Sequence, residues 1–289
     1  MLKGSIVALI TPFDGENLSE DNYIKLINYH LENGTNGVVP GGTTGESPTL
    51  SHNEHKKIIE IAVKECKGKI PVIAGTGSNS TEEAIELSKF AEKAGSDALL
   101  IVTPYYNKPT QEGLYQHYKK INDNVGVPII IYNIPSRSVI NMEVNTMAKL
   151  YELKNIKGVK DATGDLNRVD QQLKAMGKEF IQLTGNDDNA FEFNKRGGVG
   201  AIGVTANVAA KLVSDFQKAC LDDTMKAAVL DKLLQPLHSS LFIESNPSPV
   251  KYAASLLGMC NSNVRLPLVE VQKINKKKIS EALKVAKIL

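Results

Sequence analysis

Short apolar runs alternate with longer amphipathic stretches along most of the chain. Apolar runs of about four to eight residues are typical of buried strands, and the stretches between them place apolar residues at the helical period. Several of these stretches follow a Ser, Thr or Asp, which are residues that cap helix amino termini. The predicted strands number eight and cover residues 6–11, 37–40, 71–74, 98–103, 128–132, 156–160, 181–184 and 201–205.

Helices are predicted between these strands, so strand and helix alternate in the manner of an α/β protein. Such alternation implies parallel strands, and a closed (β/α)8 TIM barrel buries eight of them without leaving a sheet edge. A barrel of this kind takes about 250 residues. We expect the barrel over residues 1–221, and two or three further helices packed on it over 222–289. The predicted helices are 20–32, 52–66, 81–94, 111–123, 144–151, 166–176 and 189–196.

The composition is that of an ordinary globular protein. Its 289 residues are 42% hydrophobic, enough for one large domain with a full core. A net charge of +2 comes from 34 basic and 32 acidic residues in mixed order, which argues against a nucleic-acid or anionic membrane partner. Three widely spaced cysteines argue against a disulfide framework or a zinc site. With no signal peptide or long apolar span recognisable, a cytoplasmic protein is predicted.

Lys160 lies at the end of the sixth apolar run. This run is too short and apolar to leave the lysine on a wet surface, so we expect its amine to point into a pocket. Burial disfavours the charged form of an amine, and a neutral amine condenses with a ketone or aldehyde to form a Schiff base. The alternative interpretation is that Lys160 only forms an ion pair with Asp161 or another nearby acid.

Other strand ends supply matching chemistry. The glycine-rich loop after the second strand carries Thr43 and Thr44, and its amides can form a nest for a small carboxylate, although it can also be a plain turn. The fifth strand ends in Tyr132, a phenol that exchanges protons, and Arg137 follows in the loop, where a guanidinium binds a carboxylate. These are the parts needed to condense an α-keto acid with a second carbonyl compound.

Seven segments, spread over nearly the whole chain, carry a family resemblance. They are similar to motifs of the dihydrodipicolinate synthase family, also called 4-hydroxy-tetrahydrodipicolinate synthases. That family lies in the pyruvate-dependent class I aldolase superfamily, which includes N-acetylneuraminate lyase. The segments are GSIVALITPF at 4–13, GTTGES at 42–47, TPYYN at 103–107, YNIPSR at 132–137, KDATG at 160–164, VTANVA at 204–209 and NPSPVK at 246–251.

The resemblance implies a reaction without a metal or organic cofactor. Pyruvate forms an imine with Lys160, and the derived enamine attacks the aldehyde of L-aspartate 4-semialdehyde, which is the first committed step of lysine and diaminopimelate biosynthesis. It further implies a homo-oligomer, at least a dimer and commonly a tetramer. The implied site residues are Thr43 and Thr44 for the pyruvate carboxylate, Thr44, Tyr132 and Tyr106 as a hydroxyl relay with Tyr106 from a neighbouring subunit, Arg137 for the semialdehyde carboxylate, and Gly185 and Ile202 through backbone atoms.

Two departures from the family pattern flank the site. The chain has Ser138-Val139 where the family commonly has Thr-Gly. Because a β-branched residue does not easily take a positive φ, we expect the loop that carries Arg137 to differ. Asp161 replaces the commoner Glu, which shortens the carboxylate next to the lysine.

A lysine-binding cleft between subunits is implied by the lysine-inhibited relatives, and we hypothesise feedback inhibition by lysine. His52 and His55 lie three residues apart on a predicted helix, but no acidic or cysteine partner completes a metal site there. The positions that match the cleft are Ser47, His52, His55, Asn79, Glu83 and Tyr105.

Two alternatives to this function stay open. N-acetylneuraminate lyase and the 2-keto-3-deoxy sugar acid aldolases share the lysine, the phenol and the barrel, but they generally lack the arginine found here as Arg137. A protein of another class, a barrel that binds a ligand without catalysis, would carry the same fold. Assays with pyruvate and each aldehyde distinguish the first alternative, and trapping of a lysine adduct distinguishes the second.

Overall fold

The computed structural model describes residues 2–289 and contains a barrel of eight parallel strands. Neighbouring strands hydrogen-bond in chain order, β1 pairs with β8, and a bridge between Val38 and Val72 closes the ring between β2 and β3. The predicted TIM barrel is confirmed. The strands are β1 (Gly4–Ala8), β2 (Gly37–Val39), β3 (Ile73–Gly75), β4 (Ala98–Val102), β5 (Ile129–Asn133), β6 (Ile156–Asp161), β7 (Ile181–Thr184) and β8 (Gly200–Gly203).

Helices cover the outside of the barrel, and their ends follow from local sequence. The second helix begins with a reciprocal capping box between Ser51 and Glu54, and the third ends at Gly95, whose φ of 101° suits glycine. The helices are α1 (Glu20–Glu32), α2 (His52–Cys66), α3 (Thr81–Ala94), α4 (Gln111–Asn122), α5 (Pro135–Ser138), α6 (Val144–Tyr151), α7 (Asn167–Met176), α8 (Ala190–Lys195), α9 (Ala206–Asp222), α10 (Thr224–Leu241), α11 (Ser248–Leu256) and α12 (Lys273–Val285).

Four elements differ from the pattern read in the sequence, and one of them is the long helix α9, which lies where no helix was predicted. The first strand lies at Gly4–Ala8 and not at 6–11. Leu9 and Ile10 extended the apolar run because they are buried in the core, although they lie beyond the end of the strand. The single turn α5 is too short to show a helical period. A small hairpin pairs Phe13–Asp14 with Asn17–Leu18 after β1.

Between residues 2 and 289, no helix has both the length and the apolar character needed to cross a membrane.

The core has two layers, which follow from the alternation of side chains along each strand. Ile6 and Ala8 point into the barrel, where they belong to the same cluster as Tyr132, Leu183 and Ile202. The intervening strand residues point outward and pack against the helices in two larger clusters. The filled barrel interior leaves space for chemistry only at the strand ends.

A buried ion pair links α11, one of the three helices after Asp222, to the loop after β2. Lys251 Nζ, on α11, lies 2.6 Å from Glu46 Oε1 in the loop after β2, with side-chain exposures of 0% and 1%. Burial lowers the pKa of Lys251, and the Glu46 carboxylate counteracts this shift. The Arg265 backbone N–H donates to the other oxygen of Glu46 at 2.9 Å. The division between residues 221 and 222 coincides with the end region of α9 and stays a prediction.

Replacing Lys251 by Met is expected to destabilise the protein by about 3–5 kcal/mol, because it leaves the Glu46 carboxylate buried without its partner. Chemical denaturation followed by circular dichroism measures the change. Lys211→Met is the matched control: its partner Asp215 and Lys211 itself are exposed, at 39% and 65%, so a change of at most about 1 kcal/mol is expected. Equal losses in the two variants would contradict this assignment.

Candidate active site

Lys160 points into the barrel from the last part of β6. The residue is 5% exposed, and its Nζ lies 4.2 Å from the centroid of the Tyr132 ring. This contact follows from strand register, since Lys160 is directly opposite Tyr132 on the neighbouring β5. The amine and the phenol are thereby brought together at the carboxyl-terminal mouth, where barrel enzymes carry their chemistry.

Asp161 points to the opposite face of the same strand. Its Oδ2 accepts hydrogen bonds of 2.9 Å from Arg168 Nε and from Gln172 Nε2, both on α7. Its Oδ1 accepts from the Thr163 backbone and hydroxyl. The ion pair between Lys160 and Asp161 is therefore not formed. Of the residues that the structure describes, no carboxylate makes a salt bridge to Lys160.

A cavity of about 330 Å³ opens above the amine. Six of the predicted site residues line it: Thr43, Thr44, Tyr132, Arg137, Lys160 and Gly185. The helix α10 contributes His238 and Ser239, Phe242 follows at its C-terminal end, and the turn between α10 and α11 contributes Asn246. The site is therefore built from strand ends on one side and from the helical appendage on the other.

Thr44 and Arg137 both contact Asn246. The Asn246 Nδ2 donates to Thr44 Oγ1 at 2.9 Å, and Arg137 Nη2 donates to the Asn246 backbone oxygen at 3.2 Å. Thr44 is 3% exposed, whereas Arg137 lies at the exposed rim. The two residues thus occupy different depths of one cavity.

The expectation that Val139 avoids a positive φ is wrong. Val139 ends the α5 turn with a φ of 67°, and its backbone N–H donates to the Pro135 oxygen at 2.9 Å. Its side chain is 70% exposed, so it meets solvent and not a crowded wall. Next to it, Ser138 Oγ lies 2.9 Å from the Ile134 backbone oxygen and 3.1 Å from that of Ile140, so its single hydrogen bonds to one of them or is shared between them. This contact holds the turn in a conformation that costs about 1–3 kcal/mol of strain.

Gly185 leaves space for the Lys160 side chain because it lacks a Cβ. A Cβ at this position would lie 2.7 Å from the Ala162 Cβ and 2.9 Å from the Lys160 Cε, which is closer than real Cβ atoms approach. The Gly185 backbone N–H donates to the Asp161 backbone oxygen at 2.8 Å, so its main chain is held in place. Only glycine leaves the lysine side chain undisturbed here.

Two predicted residues lie outside the cavity. Tyr106 is 94% exposed on the surface, with a φ of 72°. Ile202 is fully buried in the barrel interior and does not line the cavity. The single chain therefore brings together the amine, Tyr132 and the threonines, but not the whole hydroxyl relay.

Asn246 and His238 were missed from sequence. Asn246 lies in the segment 245–249, which resembles a simple turn between helices, and only its place in the NPSPVK motif signals more. His238 is 2% exposed, with Nδ1 2.8 Å from Thr205 Oγ1. Burial lowers its pKa, which favours the neutral imidazole. No local pattern marks it, because it reaches the cavity only through the packing of α10.

The residues predicted for a lysine cleft form a polar cluster beside α3. His52 Nε2 lies 3.0 Å from Glu83 Oε1, and Ser78 Oγ donates to the other Glu83 oxygen. These hydrogen bonds, first that from Ser78, lower the pKa of Glu83. Asn79 Nδ2 donates to the Tyr105 backbone oxygen at 3.1 Å, which joins the next loop to the cluster.

The other two cleft residues are oriented differently. His55 is 6% exposed and its Nε2 lies 2.7 Å from the Gly75 backbone oxygen, so its ring contacts the end of strand β3. Ser47 is half-buried in a turn next to the Thr44 loop. Burial is the main cause that lowers the pKa of His55.

A parallel barrel whose mouth holds a buried lysine beside a tyrosine, with no salt bridge to that lysine among residues 2–289, has the parts of an enzyme that forms Schiff bases with carbonyl substrates. The model of the Dihydrodipicolinate synthetase family matches residues 1–286. The chain belongs to this family, as its motifs indicated.

Curated and solved relatives agree with the family assignment. The chain is similar to 4-hydroxy-tetrahydrodipicolinate synthase of Pelagibacter ubique, with 68% identity over 100% of both chains. It is also similar to the dihydrodipicolinate synthase of Acinetobacter baumannii solved as a complex with pyruvate, with 43% identity, 100% coverage of both chains and a TM-score of 0.98.

Two further solved relatives concern regulation and assembly. One is dihydrodipicolinate synthase from Cyanidioschyzon merolae with lysine bound, 33% identical over 99% of both chains with a TM-score of 0.96. The other is described as a monomeric dihydrodipicolinate synthase variant, 40% identical over 100% of this chain and 98% of that chain, with a TM-score of 0.97.

Substituting Ala for Gly185 is expected to lower kcat/KM for pyruvate by about 10- to 100-fold, because the added methyl displaces Lys160 or Ala162. Steady-state kinetics with varied pyruvate measures the loss. Gly42→Ala is the control in the neighbouring loop, since a Cβ there meets nothing closer than the Val39 Cγ1 at 3.6 Å. We expect that control to retain activity within about twofold. A Gly185→Ala enzyme with unchanged kcat/KM would refute the steric argument.

Proposed function

We propose that this enzyme joins pyruvate to L-aspartate 4-semialdehyde through a Schiff base on Lys160, the activity for which its relatives are named 4-hydroxy-tetrahydrodipicolinate synthase. The observation that carries the proposal is the buried Lys160 amine, 4.2 Å from the Tyr132 ring centroid. Its neighbour Asp161 is engaged by Arg168 on the other face of the strand. An amine without a carboxylate partner is available to attack a carbonyl carbon.

The reaction begins with attack of the Lys160 nitrogen on the pyruvate keto carbon. The resulting carbinolamine loses water to form an imine, and loss of a methyl proton converts the imine to an enamine. The enamine carbon then attacks the aldehyde carbon of the semialdehyde, whose oxygen takes up a proton. Closure of the semialdehyde amino group on the imine carbon releases Lys160 and yields the cyclic product. Tyr132, whose ring centroid lies 4.2 Å from the Lys160 amine, is the acid and base proposed for these proton transfers.

The remaining cavity residues suit the two carboxylates. Thr43 and Thr44 lie in the loop after β2 and offer hydroxyl and backbone donors to the pyruvate carboxylate. Arg137 lies at the rim, where a guanidinium can hold the semialdehyde carboxylate at two points. Gly185 lines the cavity beside Lys160, whereas the proposed role of Ile202 is limited to supporting the barrel wall from within.

The hydroxyl relay requires a second copy of the chain. Tyr106 is exposed and outside the cavity of its own chain, so it joins Thr44 and Tyr132 only if a partner supplies it. We propose a dimer as the smallest fully active unit and a tetramer of paired dimers as the assembly. Because one relative is a monomeric variant, the oligomeric state of this chain has to be measured in solution. Loss of activity on replacement of Tyr106 would report most directly that a partner subunit completes the site.

Lys160→Ala is expected to abolish condensation, and Arg137→Ala is expected to raise KM for the semialdehyde by at least about tenfold without comparable change in KM for pyruvate. Coupled kinetics with each substrate varied in turn measures both. Arg137→Lys is the matched control for charge, and we expect it to restore only part of the affinity. Normal semialdehyde affinity in Arg137→Ala would remove the role proposed for the arginine.

Feedback inhibition by lysine is proposed from the cluster around Glu83. A carboxylate held ionised by Ser78 and His52 can bind the ammonium of an amino-acid effector, and the relative from Cyanidioschyzon merolae binds lysine. Ser47, Asn79 and Tyr105 would complete the cleft, while His55 would support it from the barrel side.

Millimolar L-lysine is expected to inhibit the wild-type enzyme, and Glu83→Gln is expected to weaken that inhibition by about tenfold or more because it removes the charge opposite the effector. Inhibition curves at fixed substrate concentrations measure the effect. Glu82→Gln is the control on the same helix, since Glu82 is exposed and pairs with Lys120. A flat response of the wild-type enzyme to lysine would discard the hypothesis.

A further inference from the structure

Asn246 touches two groups that line the cavity, although it belongs to the turn between α10 and α11. Its side-chain amide donates to Thr44 Oγ1 at 2.9 Å, and its backbone oxygen accepts from Arg137 Nη2 at 3.2 Å. The residue is 6% exposed and its Oδ1 is buried without a hydrogen-bond partner among residues 2–289. A single residue of the appendage thereby contacts the groups proposed for both substrates.

The contact with Thr44 has a direction. A hydroxyl has one hydrogen to donate, and an amide nitrogen can only donate. Because Thr44 Oγ1 accepts the Asn246 N–H, the hydroxyl hydrogen must point away from Asn246. The cavity that Thr44 lines also contains Tyr132 and Lys160, so the hydrogen is free for an acceptor on that side.

The two loops that meet at this contact are held independently. Glu46, two residues after Thr44, forms the buried ion pair with Lys251, five residues after Asn246. This pair lies on the same two segments as the hydrogen bond. A change of the Asn246 side chain therefore leaves both backbones in place, and the Arg137 contact survives because it is made to a backbone oxygen.

We propose that Asn246 is a positioning residue for the condensation, which holds the Thr44 hydroxyl as a hydrogen-bond donor toward the reacting centre. The inference rests on the proposed function and adds to it the direction of hydrogen bonding in the hydroxyl relay, with Thr44 as a donor toward the reacting centre. Asn246 acts through Thr44, and its backbone oxygen separately orients Arg137. The appendage thus takes part in the chemistry and does not only cover the barrel.

Asn246→Asp and Asn246→Ala test the direction of the hydrogen bond. The aspartate has the same shape but, when ionised, accepts the Thr44 hydrogen and turns it away from the cavity. The alanine leaves the hydroxyl free to rotate. We expect kcat to fall by about tenfold in Asn246→Ala and further, to about 100-fold, in Asn246→Asp. KM for the semialdehyde should stay within about twofold in both, because the Arg137 contact is kept.

The order of the two kcat values separates positioning from mere structural support. Loss of support would damage Asn246→Ala most and would raise both KM values, which would overturn the inference. Asn261→Ala is the control on the same appendage, since Asn261 Nδ2 donates to Asp14 Oδ1 on the surface at 2.6 Å, and its kcat should be unchanged.

Asn246→Ala decides the question alone if Asn246→Asp does not fold, because a kcat within about twofold of wild type would then overturn the inference. Failure of the proposed function has a different signature. In that case the wild-type enzyme itself does not condense pyruvate with the semialdehyde.

Discussion

The hydrogen bonds that Arg168 and Gln172 make to Asp161 on the outside of β6 determine what the lysine inside can do. Strand alternation places Lys160 and Asp161 on opposite faces, and the two donors on α7 then satisfy the Asp161 oxygen at 2.9 Å each. A buried carboxylate without such donors would be costly and would favour pairing with the nearest cation. Because α7 supplies the cation, the amine at the barrel mouth remains free for a substrate.

Two buried lysines of the chain, Lys160 and Lys251, have different partners. Lys251 is fully buried and is bound to Glu46, so its charge is compensated and serves to attach the C-terminal helices. Lys160 is nearly as buried, but its Nζ lies over the Tyr132 ring, 4.2 Å from the ring centroid. Similar burial therefore suits one lysine to a structural role and the other to the proposed chemical role, and the difference lies in the acid that each can reach.

The C-terminal helices are part of the site through this ion pair and through apolar packing on the outside of the barrel. Once Lys251 fixes the loop that carries Glu46, the neighbouring Thr44 and the turn at Asn246 are brought within hydrogen-bonding distance. His238, Ser239 and Phe242 follow as the wall of the cavity. A barrel without these helices would lack one side of its active site.

Much of this could be predicted from the sequence where the signal is local. The strand that ends in Lys160, the phenol of Tyr132 and the Thr43-Thr44 loop are each next to a short apolar run, and strand ends of a parallel barrel converge at one mouth. Contacts between distant segments carry no such signal. The partnership of Asp161 with Arg168 depends on how α7 packs, and that of Thr44 with Asn246 depends on the appendage.

A strained backbone conformation also cannot be predicted from the pattern of apolar and polar residues. Val139 has an ordinary strand-forming side chain, yet it holds a φ of 67° because the Ser138 hydrogen bonds and its own exposed position make that conformation acceptable. A positive φ costs a β-branched residue conformational energy, but the conformation is not forbidden. The turn that carries Arg137 therefore contains a positive φ at a residue that was not expected to adopt it, and a difference of this loop from the family pattern stays a prediction.

The central claim is that Lys160 captures a keto acid covalently. Treating the enzyme with pyruvate and sodium borohydride, followed by peptide mass spectrometry, tests it most directly, since the reduced imine is stable. We predict a pyruvate-derived adduct on the peptide that contains Lys160 and none on the peptide that contains the ion-paired Lys251. A protein that shows no adduct, or an adduct confined to other lysines, would contradict the account.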